Sequence, residues 1–576
     1  MIEKMKTKTF VQVTLIILVF VLLSLPRLTR LTADPPPDLS WSAGYYGDEA
    51  GYAHNARNKA LFGRWVLDEY NPFFVNPVLT FFDYLSFKTF RPSILSLRLV
   101  AVFWGILGMF LLFYILKHGG ANDWMPWIGV ILLESNYFYL MYTRLSLSDT
   151  MLTNWMLLSV FLWVIGFRRK RYMFLAGLSS VVVLSCKPTA VYFAFVLMLA
   201  YPFHFMKDAW ENVPGIFLTW KIALRDAAFK SSPFLGGFLL GFSLWLGLYY
   251  IPYHAEFAKM SSGWSFLSLP KSFGDFLNRE FGSYSPIIFK HFAWFPYIFL
   301  LSWFYLPISF FRLFRDWKRY NTLEFLALFW LVFGYLSLSG FRYRPARYYL
   351  SLVPPVLILS LFAMEAIIKF SWNRLKLNKI SIILFLSWLL LSLMLIKKYI
   401  IFDGFGVLLS GSGVFLLALA VLMWIGRKSL VWDQKSFNKI GLYACLLILS
   451  VSLSHNLFLY ANWVRHPSYQ VLNASRDVGN RVKNGIIVGL WAPMICMENQ
   501  NRALCVASRW FNDKDPYEKY HFTHVFLWRG NRDAELSLIR RPLGRKFIKK
   551  NLKPIARYKI KGAWGILFKV VDVPMM

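Results

Sequence analysis

Acidic residues are scarce in this chain. Only 30 Asp and Glu stand against 64 Lys and Arg in 576 residues, and charged residues of both signs make up 16%. An ordinary soluble domain carries about 25% charge, so the chain is too apolar for that class. There are four cysteines, too few for a disulfide-built scaffold, and no Cys/His metal spacing. A phosphate-cradling glycine loop and a nucleophile elbow are also missing, which removes P-loop and α/β-hydrolase chemistry. There is no internal repeat and no low-complexity tract. The first apolar block, after Lys4, Lys6 and Lys8, has no small-x-small cleavage site behind it; Leu25-Pro26-Arg27-Leu28 follows instead. It reads as an uncleaved first helix rather than a signal peptide.

Long apolar runs are what the sequence has in abundance. Hydrophobic residues reach 57%, and residues 11–25, 380–396 and 440–460 each approach or reach the roughly 20 residues that cross a hydrocarbon core. The pattern predicts 13 spans, near 9–29, 94–116, 124–142, 148–167, 172–187, 189–206, 233–252, 287–311, 323–341, 349–369, 380–402, 406–426 and 440–461. The net charge of +34 would suggest nucleic acid in a soluble domain. Here most basic residues sit in short clusters between apolar blocks, so nucleic acid is not an expected partner. With a cytoplasmic N-terminus, every second loop is basic. Arg168 to Arg171 form one such loop, Arg312, Arg315, Lys318 and Arg319 another, and Arg427, Lys428, Lys435 and Lys439 a third. An odd span count then places the C-terminal tail outside.

Two units follow: a membrane part, 1–464, with a long first external loop at 30–93, and an extracytoplasmic module, 465–576. In the module, residues 485–491, 503–508, 523–528 and 566–573 read as strands and 472–483 and 533–541 as helices, a small α/β domain. Cys496 and Cys505 lie outside in this topology, where disulfides persist. A turn at 497–502 would bring them face to face, so they are expected to pair; two buried thiols are the other reading.

Chemistry concentrates at the outer boundary. In the first loop, Gly47-Asp48-Glu49 opens a helical stretch that places Asp48, Tyr52, Asn55 and Lys59 on one face. One acidic residue suffices to cap a helix; capping leaves the adjacent Glu49 and the polar stripe unexplained. Three arginines, Arg342, Arg344 and Arg347, follow the ninth span and run against the positive-inside bias. A phosphate suits their forked donors, and anionic lipid headgroups are the alternative. Arg144 and Asp149 flank the turn between spans three and four, and Lys187-Pro188 the turn between five and six. Ionisable groups at membrane depth are costly, so they are either paired with each other or bind substrate.

In this order, Gly47-Asp48-Glu49 with Tyr52, Arg98, Arg144 through Asp149-Thr150-Met151-Leu152, Lys187-Pro188 and Arg347-Tyr348-Tyr349 before Pro354-Pro355 resemble a known family. It is the GT-C membrane glycosyltransferases that use polyprenyl-phosphate sugars, near the protein O-mannosyltransferase and lipid A aminoarabinose transferase relatives. The resemblance implies a polytopic α-helical GT-C fold of about 13 spans with a small extracytoplasmic α/β domain, in a plasma membrane. It makes Asp48 the catalytic base and Glu49 a supporting or metal-binding residue. Arg344 and Arg347 become holders of the lipid phosphate, with Tyr52, Lys59, Arg144, Asp149, Lys187 and Tyr348 as substrate contacts. Where the family often has Lys-Pro-Pro, this chain has Val75-Asn76-Pro77, and Lys59 or Lys88 can substitute for the lysine.

The expected reaction uses a polyprenyl-phosphate sugar donor and a protein, lipid or glycan acceptor. Cations neutralise the phosphate leaving group while a carboxylate takes the acceptor's proton, a single displacement with inversion. No cofactor is required, although a divalent metal can assist. A glycan polymerase or ligase, or a lipid-linked-sugar transporter, are the competing readings. Transporters favour charged or broken helices at the bilayer midplane, whereas the ionisable residues here gather at its edge.

Overall fold

The computed structural model describes residues 2–40, 44–212, 216–262, 270–281, 296–339, 341, 343–369, 434–508, 510–528, 547 and 550–571. Among them, seven helices are long and apolar enough to cross a membrane, and the chain is a multi-pass membrane protein. Three shorter apolar helices, Ile16–Leu28, Met125–Ser135 and Thr322–Leu338, accompany them. Eleven of the 13 expected spans coincide with helices; those at 380–402 and 406–426 lie outside the described residues. Large apolar side chains point outward along these helices, such as Ile17, Val21 and Leu22, or Leu235, Leu239 and Leu240. In water such a surface would drive association; in lipid it is the solvated face.

The expected single span at 124–142 is two helices, Met125–Ser135 and Tyr137–Tyr142, parted at Asn136. Backbone N–H groups freed by a break in lipid need partners inside the protein. The Tyr139 amide donates to Asn136 Oδ1 at 2.7 Å and the Tyr137 amide to Asn456 Oδ1 at 2.8 Å. Beside this break, Arg27 of the first helix donates twice to Glu134, at 2.8 and 2.9 Å, with both side chains almost fully buried. Apolarity alone does not reveal this pairing across 107 positions.

The C-terminal unit contains a five-stranded sheet in the order β2-β1-β3-β5-β4. The strands are β1 (Ile486–Val488), β2 (Arg502–Leu504), β3 (His524–Trp528), β4 (Leu552–Ile560) and β5 (Ala563–Val570). β1 runs parallel to β2 and β3, β5 antiparallel to β3 and β4. Sequence reading missed β4, whose alternating Lys553, Arg557 and Lys559 mask its strand character. The β4–β5 hairpin turns at Lys561-Gly562, both at positive φ (45° and 74°), the geometry that favours glycine in a two-residue turn. The expected helix at 533–541 lies outside the described residues.

Alternation along the strands gives the sheet two faces. Val488, Leu504, Val525 and Leu527 pack on one side as a small separate core. Ile487, Ala503, Phe526 and Trp528 face the other way and belong to the same apolar cluster as the membrane helices and the loop at 30–93. The C-terminal unit therefore shares its principal core with the rest of the chain.

The expected disulfide is corrected by this topology. Parallel strands need a crossover, not a tight turn, and the crossover from β1 to β2 carries a helix, Ala492–Cys496. Cys496 ends that helix and Cys505 lies past β2; no bond joins them. The Cys505 thiol donates instead to the Leu490 carbonyl at 3.3 Å.

Candidate active site

Four helix ends meet at one edge of the bundle. The helix Asp48–Tyr52 begins there, with both acidic residues in its first turn, where the helix dipole favours negative charge. The helix Ser148–Gly166 also begins there, after the extended residue Leu147, and puts Asp149 in its first turn. The helix Lys170–Cys186 ends at Lys187, which is extended (φ −163°, ψ 119°) because Pro188 disfavours helical backbone before it. The 3-10 segment Ala346–Leu352 follows Pro345 and carries Arg347 and Tyr348.

Arg347 stands at the centre. Its terminal nitrogen is 2.8 Å from Asp48 Oδ2, and its Nε is 3.4 Å from Asp149 Oδ2. Lys187 Nζ donates to Asp149 Oδ1 at 2.5 Å and lies 3.5 Å from the centroid of the Tyr348 ring. Tyr52 lies in the same group, near Asp48, Arg347, Asp149 and Ser148. Asp48 is 27% exposed, whereas Asp149 and Arg347 are buried. Burial pushes the Asp48 carboxyl above the usual carboxylate range; Arg347 opposes that shift and Asp149 adds to it. One buried Nη of Arg347 has no hydrogen-bond partner among the described residues, and Nε has only the long contact to Asp149. Unmet donors on a buried cation are costly and point to an absent acceptor.

Asp48, Tyr52, Asp149, Lys187, Arg347 and Tyr348 thus come together as the sequence suggested. The other expected residues go elsewhere. Glu49 is buried against Arg98, which donates to both its oxygens (2.7 Å to Oε2), while the Ser146 amide takes Oε1 at 3.0 Å. Its carboxylate is spent on holding the first loop to the helix Ile94–His118. Lys59 folds back to the Gly63 carbonyl at the end of its own helix, His54–Phe62. Arg144 donates to the carbonyls of Thr29 and Arg30 and stacks on Trp463, 4.3 Å from that ring. Arg344 is buried and donates to the Arg279 carbonyl at 2.8 Å. Arg342 lies outside the described residues.

Of the expected polar stripe, Asn55 is buried while Asp48, Tyr52 and Lys59 stay partly exposed, and Arg57, off that stripe, is buried as well. Arg57 donates to the Asn499 and Asn501 carbonyls of the C-terminal unit. For a divalent metal the donor set fits poorly. Among the described residues no three His, Cys, Asp or Glu side chains cluster, and Asp48 and Asp149 already face protein cations.

No model of a known protein family matches the chain, and no curated protein matches it in sequence. Among solved structures it is similar to ArnT from Cupriavidus metallidurans bound to undecaprenyl phosphate, at 14% identity over 96% of this chain and 98% of that one, TM-score 0.49. It is also similar to the archaeal oligosaccharyltransferase AglB from Archaeoglobus fulgidus in complex with an inhibitory peptide and a dolichol-phosphate, at 11% identity over 97% and 75% of the two chains, TM-score 0.48. The Archaeoglobus fulgidus oligosaccharyltransferase in complex with Zn and sulfate matches at 13% identity over 88% and 67%, TM-score 0.40.

Proposed function

We propose that this protein is a membrane glycosyltransferase that moves a sugar from a polyprenyl-phosphate carrier to an acceptor hydroxyl at the outer face of a plasma membrane. The observation that carries the reading is Arg347: a buried guanidinium with an unmet Nη, held between Asp48 and Asp149 where four helix ends meet. An anionic donor phosphate supplies the acceptors that Arg347 lacks, and a guanidinium binds phosphate through paired N–H groups. Lys187 stands beside it, behind Asp149, and adds positive charge.

As the phosphate takes over Arg347, Asp48 loses its ion-pair partner and becomes a stronger base. The acceptor oxygen attacks the anomeric carbon, its proton passes to Asp48, and the bond from that carbon to the phosphate oxygen breaks. The electron pair of that bond leaves with the phosphate, where Arg347 and Lys187 stabilise the developing charge. One displacement inverts the anomeric centre. Protein, lipid and glycan acceptors all present the hydroxyl that this step requires.

The test is release of polyprenyl phosphate from a labelled lipid-linked sugar by purified protein. Asp48→Asn should lower transfer 10²–10⁴-fold, the usual cost of removing a general base, with membrane insertion intact. Retention of more than about a tenth of the activity would show that Asp48 is not the base.

A further inference from the structure

Glycine at position 47 is not there for backbone freedom. Gly47 has φ −109° and ψ −21°, a conformation open to any residue, and as the cap of the helix Asp48–Tyr52 it offers no side chain to the first turn. Ser, Thr, Asp or Asn would cap better. What Gly47 supplies is space. A Cβ built on it would overlap atoms Cε3 and Cζ3 of the Trp491 ring. Trp491 belongs to the extracytoplasmic unit, between β1 and the helix Ala492–Cys496. Its ring stands edge-on to Trp528 of β3, with centroids 4.8 Å apart and planes at 88°. Trp528 is fully buried and donates its Nε1 to the Ile560 carbonyl at 3.2 Å.

We infer that Trp491 is a positioning residue for Asp48: the extracytoplasmic sheet, acting through Trp528 and Trp491, sets the height of Gly47 and with it the direction of the Asp48 carboxylate toward Arg347. The inference rests on the glycosyltransferase reading and adds to it that the catalytic segment is braced from another unit of the chain. Bracing by a flat ring needs the closest approach that a main chain permits, which only glycine allows. The surroundings agree. Met494 and Met497 line a small cavity of about 10 Å³ with Glu49, Ala50 and Arg98, directly behind the same turn. Two further bonds pin the segment from the same side, Arg57 to the Asn499 carbonyl at 2.6 Å and Lys561 Nζ to the Tyr45 hydroxyl at 3.2 Å.

The test is a double-mutant cycle in the full-length protein, with kcat, donor KM and thermal midpoint read for each variant. Gly47→Ala should lower kcat about 10²-fold, since a displacement near 1 Å can cost that much. Trp491→Ala should lower kcat with donor KM little changed. The double variant should recover at least tenfold over Gly47→Ala alone, because the room for the methyl group returns. Normal kcat in Gly47→Ala, additive losses in the double variant, or a Trp491→Ala that loses thermal stability but keeps kcat would each overturn the inference. A wild type that turns over no lipid-linked sugar would sink the functional reading itself. An active wild type with a normal Trp491→Ala would sink this inference alone.

Discussion

Asp48 and Glu49 are neighbours with opposite employment. Asp48 is partly exposed, faces Arg347 and has its carboxyl pushed up by burial, while Glu49 is buried and bonded on both oxygens. Replacing Glu49 by Ala leaves Arg98 as an uncompensated buried cation, a change worth about 3–5 kcal/mol. We therefore expect Glu49→Ala to lower the thermal midpoint and protein yield, and Asp48→Asn to leave both near wild type. Unfolding curves of the two variants in detergent check this. The base must be ionised to act, so kcat/KM should rise with pH through a midpoint above the roughly 3.9 of a free Asp. Arg347 pulls that midpoint down. In Arg347→Gln the residual activity should show its acid limb at higher pH, and an unmoved limb would break the link between the two residues.

Helix ends and loop junctions are where elements are joined by charge. Glu69 of the first loop receives Lys259 at 3.1 Å, Lys519 at 3.3 Å and the Asn512 amide at 2.9 Å, which connects three segments. Burial alone would raise its carboxyl, yet these three donors outweigh that and hold it below the usual range. A lowered folded value stabilises above the unfolded one, near 4.3, and the contribution disappears as pH falls through the folded value. Because the lysines are about half exposed, Glu69→Gln should cost under about 1 kcal/mol at neutral pH and nothing in acid. Thermal unfolding at pH 7 and pH 3 measures the difference. The buried Arg27–Glu134 pair is a different case. Removing Glu134 strands a cation among apolar helices, and Glu134→Ala should destabilise by about 3–5 kcal/mol.

Across the whole molecule, the first loop and the C-terminal unit lie on one side of the helices. Arg57, Asp68 and Glu69 all bond to residues beyond 498. The helix Ser148–Gly166 carries the chain from the site to the basic turn at Arg168–Lys170 on the other side. Cysteines introduced at the exposed positions Arg64 and Lys514 should therefore react with an impermeant maleimide from one face of the membrane. One at Lys170 should react from the opposite face. Labelling of Lys170→Cys and Lys514→Cys from the same side would refute the topology.

Membrane class, the helix order and the gathering of ionisable motifs at helix ends were legible in the sequence, because hydrophobic runs, loop charge and Pro or Gly punctuation act over a few residues. Six of the expected site residues meet: Asp149, Lys187, Arg347 and Tyr348 sit at the ends of apolar segments that reach the same boundary, and the first loop brings Asp48 and Tyr52 to it. What only the tertiary structure decided is which partner each charge takes. Nothing local to Glu49 names Arg98, nothing near Arg144 names the carbonyls of Thr29 and Arg30, and Lys59 is drawn to its own helix end rather than to the site. The disulfide expectation failed on the same ground, since parallel pairing of β1 with β2 is a choice made by the sheet as a whole. Gly47 and Trp491 lie 444 positions apart in the sequence, and their contact exists because packing of the shared core, not chain proximity, sets the distance between them.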